Sequence, residues 1–317
     1  MHKFNNELTN ISSMAQINKS LTHPTCVFGD LYNIKRKIGE GTFGVVYVAE
    51  CKKTNMKVAL KFERRQGTKK LKIDLENDIY LKLTGAYSIG FPQIIKSYNW
   101  EHAGVLVMEL LGENVDERLH RLRNRYSTNS PELIETVIYI AIKSLSLIEE
   151  VHNIGYLHRD VKPNNLMFGL GAKCNVLYLI DFGLSKSYIK NRKHVSMTSS
   201  NSLVGTVRYA SVNVHAGISP SRRDDLESLA YSLIYLLKGI LPWKGIKKET
   251  SEERNDAIMF SKKETIQNLC QGLPDCFNAY LMYVLLLEHD EMPNYEEYRR
   301  TFEIYCKINN LTPQVHN

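Results

Sequence analysis

The rhythm of polar and apolar positions changes twice along this 317-residue chain. Residues 1–27 are polar and rich in Asn, Ser and Thr, with no apolar period to fold around, which predicts a disordered N-terminal tail. From Phe28 onward, short β-branched or alternating segments, Tyr32–Ile38, Val45–Cys51 and Lys57–Glu63, are separated by glycine or polar turns, the signal of an antiparallel sheet. Leu71, Leu75, Ile79 and Leu83 then recur at the spacing of one helical face, and Ile94–Trp100 and Val105–Leu110 read as two more strands. Beyond Gly112 the period becomes helical. Leu133–Asn153 carries a broad apolar stripe that stops before Gly155. Leu226–Leu237 is apolar almost all round and so belongs inside a lobe. Further helical patterns cover Glu264–Cys270, Phe277–Leu287 and Tyr295–Asn309, and no internal repeat is present.

This order predicts an α+β protein of two lobes. A small antiparallel-sheet lobe with one main helix spans residues 28–111, a larger helical lobe spans 112–309, and residues 310–317 form a short C-terminal tail. The junction near Glu109–Gly112 would leave a cleft between the lobes, a favoured place for a ligand.

Composition narrows the class. With 43% apolar and 24% charged residues the chain reads as soluble and globular. No apolar run reaches the length of about 18 residues needed to cross a bilayer, and the N-terminal stretch lacks the apolar core of a secretory signal. Its six cysteines are scattered with no C-x-x-C pair, which argues against a disulfide framework or a zinc site and for reduced thiols in an intracellular protein of the cytoplasm, the nucleus or both. The net charge of +7 is gathered into clusters at Arg64–Lys72, Arg118–Arg125, Lys186–Lys193, Arg222-Arg223 and Lys244–Lys248, against an acidic run from Glu288 to Glu303. Such asymmetry suits an acidic or phosphorylated partner, and equally a nucleic acid or a plain solvated face.

Three motifs carry the chemistry. Ile38-Gly39-Glu40-Gly41-Thr42-Phe43-Gly44-Val45-Val46 has a strand on both sides. A dinucleotide-binding glycine motif would open a helix, so a hairpin is expected, with Gly39, Gly41 and Gly44 letting backbone N–H groups approach phosphates. Lys61, in Val58-Ala59-Leu60-Lys61, places an ammonium on the third strand. Glu76 on the following helix could reach it, with Asp74 and Asp78 as nearby alternatives. His158-Arg159-Asp160-Val161-Lys162-Pro163-Asn164-Asn165, followed by Asp181-Phe182-Gly183, matches the catalytic loop and metal-binding triplet of protein kinases.

In that chemistry Asp160 accepts the proton of an attacking hydroxyl and Lys162 neutralises the γ-phosphate. Asn165 and Asp181 ligate magnesium, a hard cation that prefers oxygen donors, and Thr206 is placed to bond both Asp160 and Lys162. Arg159 is either structural or part of an anion site with Lys186, and His158 is expected to pack and hydrogen-bond rather than act as a base. Ile38, Val46, Ala59, Met108, Leu166 and Ile180, placed beside these motifs, would line an adenine slot.

From Phe28 to Asn309 the chain thus resembles a eukaryotic protein kinase, and within that superfamily it resembles the casein kinase 1 family. The finer likeness rests on Val107–Gly112, Gly205-Thr206-Val207-Arg208-Tyr209-Ala210-Ser211, His215–Ile218, Ser221-Arg222-Arg223-Asp224-Asp225-Leu226-Glu227-Ser228-Leu229 and Leu241–Gly245. Ser211-Val212-Asn213 replaces the usual A-P-E triplet in the manner of that family. The resemblance implies a monomeric serine/threonine kinase that uses ATP and Mg2+ on acidic or already phosphorylated proteins. It also makes Met108 the gatekeeper, has Glu109 and Leu111 present backbone groups to adenine, has Asp225 brace the catalytic loop, and gives Arg208 and Lys247 to an anion site.

There are departures. Asn201 and Ile240 stand where the family carries a basic and a small polar residue, and Lys248–Arg254 is more acidic than its counterpart, so phosphate recognition is expected to be weaker than typical. Lys61, Asp160, Asn165 and Asp181 are all present, which argues against a catalytically dead scaffold. A nucleic-acid module lacks its aromatic–basic surface motif. A related kinase family acting on chromatin-associated proteins is disfavoured by the Ser211-Val212-Asn213 and Arg222–Asp225 pattern, and a tyrosine kinase by Lys162.

Overall fold

The structure, a computed structural model, describes residues 29–41, 44–65, 71–85, 89–100, 103–199 and 203–316. The expected tail, residues 1–27, lies outside them, as does Asn201. The chain divides into two compact units, residues 1–85 with 92–111 and residues 86–91 with 112–317.

The smaller unit is a five-stranded antiparallel sheet in the order β1-β2-β3-β5-β4. Its strands are β1 (Tyr32–Gly41), β2 (Gly44–Cys51), β3 (Lys57–Arg64), β4 (Ile94–Asn99) and β5 (Ala103–Glu109), and it carries helix α1 (Lys72–Thr84). Alternation puts Tyr32, Ala49, Val58, Leu60, Val105 and Val107 in one buried cluster. The opposite face carries Val46, Val48, Ala59 and Lys61, aligned by the pairs Val46↔Lys61 and Val48↔Ala59.

The larger unit is mainly helical. α2 (Val115–Arg125), α3 (Pro131–Asn153), α4 (Val212–His215), α5 (Arg222–Lys238), α6 (Ser251–Thr265), α7 (Asp275–Leu286) and α8 (Tyr295–Ile308) are interrupted by small two-stranded pieces, of which β6 (Tyr156–Leu157), β7 (Leu166–Phe168), β8 (Leu177–Leu179) and β9 (Lys186–Ser187) matter below. Every residue of α5 from Asp224 to Leu237 is buried, so this helix forms the centre of the unit. Each leucine-sized side chain buried there contributes about 1.5–3 kcal/mol.

Three helices differ from the sequence reading: α6, α2 and the single turn of α4. α6 runs Ser251–Thr265 and is followed by one 3-10 turn, Ile266–Asn268, where a helix over Glu264–Cys270 was expected. Only Ile258 and Lys262 of α6 are buried, so its apolar period is too faint to read. The acidic residues after Lys247 belong to its start: Thr250 and Glu253 form a capping box, and Glu252 and Glu253 sit at the positive end of the helix dipole. α2 passed as a basic cluster, yet Asn114 and Glu117 cap it with a second box. Its Arg118 is only 6% exposed, bonded to Glu113 and set 4.0 Å over the Phe168 ring. Other clustered arginines are spent on carbonyls: Arg123 on Leu236, Arg222 on Asp290 and Arg223 on Leu287. Much of the apparent charge patterning is therefore internal wiring.

Candidate active site

In the smaller unit, β1 and β2 form the hairpin that carries the glycine motif, with Gly39 opposite Val46 and Gly41 opposite Gly44. A strand follows the motif, which removes the dinucleotide-binding alternative. A Cβ on Gly44 would lie 2.0 Å from the Phe62 carbonyl oxygen, so only glycine fits there. Lys61 of β3 donates to Glu76 of α1 at 2.7 Å, and Glu76 is 1% exposed. Glu76, rather than Asp74 or Asp78, is thus the partner. Asp74 instead accepts from Asn99. Ala59 and Met108 are paired across β3 and β5 and buried, Val46, Glu109 and Leu111 are half-buried, and Ile38 is exposed.

In the larger unit, the turn between β6 and β7 gathers a closed set of polar groups. Asp160 Oδ1 accepts from both the backbone N–H (2.9 Å) and the hydroxyl (2.7 Å) of Thr206. Lys162 Nζ donates to Asp160 Oδ2 at 2.6 Å and to Thr206 Oγ1 at 3.0 Å. Gly205 makes this possible: its φ is +94°, and a Cβ would meet the Arg159 carbonyl oxygen at 2.4 Å. Asn165 Nδ2 donates to the Asp160 carbonyl (2.9 Å), which leaves its Oδ1 for a cation. The Ile180 N–H bonds the Asn165 carbonyl at the end of the β7–β8 ladder, so Asp181 follows directly beside Asn165. These hard oxygen donors suit Mg2+. Leu166 is fully buried and Ile180 half-buried in this ladder.

His158 is fully buried. Its Nε2 faces the Ile180 carbonyl (3.0 Å) and its Nδ1 accepts from the Asp160 N–H (3.2 Å). A carbonyl can only accept and an amide can only donate, so the ring is the neutral Nε2–H tautomer with no free lone pair for a substrate. Its ring also packs edge-on against Phe182, which is buried beside Phe91.

Asp225 of α5 holds the loop from beneath. Its Oδ2 accepts from the His158 N–H (2.8 Å) and faces His152 Nε2 (2.9 Å), while Oδ1 accepts from the Arg159 N–H (2.7 Å). These bonds keep Arg159 at φ +67°, a conformation that costs a non-glycine residue about 1–3 kcal/mol. His152 in turn bonds the Tyr295 hydroxyl (2.5 Å), a buried chain linking α3, α5 and α8 that no local pattern discloses.

Burial alone would raise the Asp225 carboxyl, but the His152 contact and the loop amides outweigh it and hold it below its ordinary 3.8. A carboxyl depressed on folding contributes stability that is complete above its unfolded value and is lost as pH falls through the folded one. Asp225→Asn is therefore expected to lower the unfolding free energy at pH 7 by about 3 kcal/mol. Urea titrations below pH 3.8 should show the gap to wild type closing.

The residues assigned to an anion site are less closely gathered. Arg159 donates through Nε to the Leu184 carbonyl, and burial pushes its guanidinium down from its ordinary value, with the Asp225 charge opposing. Lys186 on β9 and Lys247 are exposed. Arg208 is half-buried, its guanidinium 5.7 Å from the Tyr235 ring centre, and Arg123 of α2 lies 5.5 Å from the same centre. Burial disfavours the charged Arg208, but its bond to Tyr209 and the neighbouring Tyr235 and Asp116 raise its pKa on balance. Arg123 was expected only as part of a basic cluster and Tyr235 only as part of an apolar helix, and neither they nor Asp116 carry a motif that places them beside Arg208.

A lysine–glutamate pair beside a glycine hairpin, and a carboxylate joined to an ammonium, a hydroxyl and oxygen donors for a metal, are the equipment of a phosphotransferase. The family model of the protein kinase domain matches residues 32–279, and the chain belongs to the protein kinase family. That membership implies ATP, usually with Mg2+, and protein substrates. Among the described residues no helix is long and apolar enough to cross a membrane.

Proposed function

We propose that this protein is a monomeric, intracellular serine/threonine kinase of casein kinase 1 type, acting in the cytoplasm, the nucleus or both on acidic or already phosphorylated proteins. The observation that carries the serine/threonine reading is Lys162, shared between Asp160 and Thr206. The subfamily reading draws on a second network. Ser211 bonds Asp224, the Val212 N–H bonds Glu227 (2.7 Å) and the Ser221 N–H bonds Asp224 (2.7 Å). The segments that resemble casein kinase 1 are therefore bonded to one another.

The chemistry follows from atom capacity. Thr206 fills both acceptor positions of Asp160 Oδ1 with short bonds, whereas Oδ2 accepts from Lys162 (2.6 Å) and only at 3.3 Å from Asn165 Nδ2, so Oδ2, once that long contact yields, is the atom that takes a substrate hydroxyl proton. As that O–H bond breaks toward Oδ2, the substrate oxygen forms its bond to the γ-phosphorus and ADP departs with the electron pair of the broken P–O bond. Lys162 offsets the phosphoryl charge. Mg2+, when bound by Asn165 Oδ1 and the Asp181 carboxylate, supplies further neutralisation. Lys61, fixed by Glu76, serves the α/β-phosphates. Gly39, Gly41 and Gly44 supply the approach to them, and Ile38, Val46, Ala59, Met108, Glu109, Leu111, Leu166 and Ile180 serve adenine. Arg208 and Lys247 read a substrate anion, with Arg159 and Lys186 as a second basic pair.

The test is radiolabelled ATP–Mg2+ with two peptides, one carrying phosphoserine three residues before the target serine and one unprimed. The primed peptide is expected to label faster, Asp181→Asn to abolish labelling, and Arg208→Ala to slow the primed peptide about tenfold or more while sparing the other. Equal labelling of both peptides would retain the kinase and remove phosphate reading. Nucleotide binding without labelling would indicate a scaffold.

A further inference from the structure

Helix α1 carries Glu76, yet its own beginning is poorly furnished. The first N–H groups of a helix have no partner within it, and Leu71 at the N-cap offers no side-chain acceptor. The missing acceptor comes from the sheet. Glu63 of β3 accepts from the Lys72 N–H through Oε1 (3.1 Å) and from the Ile73 N–H through Oε2 (2.8 Å). One carboxylate thus spans two consecutive donors at the positive end of the helix dipole.

Glu63 lies two positions beyond Lys61, so both side chains leave the same face of β3. One strand therefore grips α1 twice, at its first N–H groups and at Glu76, one helical turn further on. Two other contacts complete the seat. Asn99 of β4 donates to Asp74 (2.8 Å) and accepts from Arg65 (3.0 Å). Gly104 of β5 leaves room for the first turn: a Cβ there would lie 2.7 Å from Leu71 Cδ1 and 2.9 Å from Ile73 Cγ2. All of these residues belong to the smaller unit.

We propose that Glu63 is the anchor of α1 and a positioning residue that keeps Glu76 on Lys61, so that the orientation of this helix is built into the small unit. Turning α1 about its axis to withdraw Glu76 would break both Glu63 bonds at once. The role in catalysis rests on the reading of Lys61 and Glu76 given above.

The experiment compares full-length wild type, Glu63→Ala and Glu63→Gln by hydrogen exchange and steady-state kinetics. In Glu63→Ala, amide exchange across the start of α1 is expected to rise about tenfold, while exchange in α3 stays unchanged. The kcat should fall by a similar factor with KM for the peptide unaltered. Glu63→Gln, which keeps one oxygen acceptor for the two N–H donors and no charge, should fall between Glu63→Ala and wild type in both. If Glu63→Ala does not fold, Glu63→Gln decides alone, with changes of about threefold expected. Exchange of α1 within twofold of wild type, or raised exchange with unchanged kcat, overturns the proposal. An inactive wild type would instead strike the kinase reading, and the exchange data would still decide whether Glu63 anchors the helix.

Discussion

Asp160→Asn is expected to lower kcat by about 10²–10⁴-fold, the usual contribution of a positioned general base, with KM for ATP little changed. The substitution is nearly isosteric, and an asparagine Oδ1 can still accept from the Thr206 N–H and hydroxyl, as Asp160 Oδ1 does. What is lost is Oδ2 as a proton acceptor. In its place an NH2 group would face the Lys162 ammonium, which now sits 2.6 Å from the carboxylate. Two donors cannot bond each other, so Lys162 would swing toward Thr206 or the phosphate. Initial rates against ATP and peptide, beside a melting curve within a few degrees of wild type, separate a chemical from a folding defect. A kcat within tenfold of wild type would place proton acceptance on another group.

Lys262→Met is expected to destabilise the larger unit by about 1–3 kcal/mol, the cost of leaving a buried acceptor without its donor. Lys262 is 0% exposed. Its Nζ donates to the carbonyls of Val207 and Ala210, contacts His215 Nε2 (3.2 Å), and lies about 5 Å over the rings of Tyr231 and Trp243. Burial pushes its ammonium down from its ordinary value, and the charge of Glu227 opposes that shift. Methionine fills similar space but strands the Ala210 carbonyl, leaves the Val207 carbonyl to His215 Nε2 alone, and removes the positive charge that favours the Glu227 carboxylate. Glu227→Gln on top of Lys262→Met is expected to restore part of the loss, because the amide still accepts from the Val212 N–H without carrying charge. Trp243 touches Lys262 directly, so its fluorescence during urea unfolding, with Trp100 replaced by phenylalanine, reads the transition where the change is made. Because Val207 and Ala210 flank Arg208, the single variant should also raise KM for peptide.

Legibility followed range. The two-residue period of β1 to β3 and the 3.6-residue period of α1, α3, α5 and α8 could be read from the chain, because those elements each bury one face or all faces. α2 and α6 could not, since one buries an arginine and the other a lysine where an apolar residue would have marked the period. Capping boxes begun by Asn114 and Thr250 were the available signal, one just ahead of the Arg118–Arg125 cluster and the other inside the Lys248–Arg254 stretch, both read only for charge. The Lys61–Glu76 pair was legible because a strand followed by a helix constrains reach. Glu63 was not, since nothing in a strand glutamate discloses which helix N-terminus it will meet.

By itself, then, the sequence determined the elements with a clear apolar period and the motif chemistry: which residues carry carboxylate, ammonium and amide groups, and at what offsets along one loop. Offsets along a chain survive in any fold that keeps the loop. The tertiary structure alone decided the partners of those groups. Thr206 comes to Asp160 from 46 residues away, Asp225 to Arg159 from 66, and Tyr295 to His152 from 143. Bonds of that span form when packing brings distant segments together and polar groups withdrawn from water find one another.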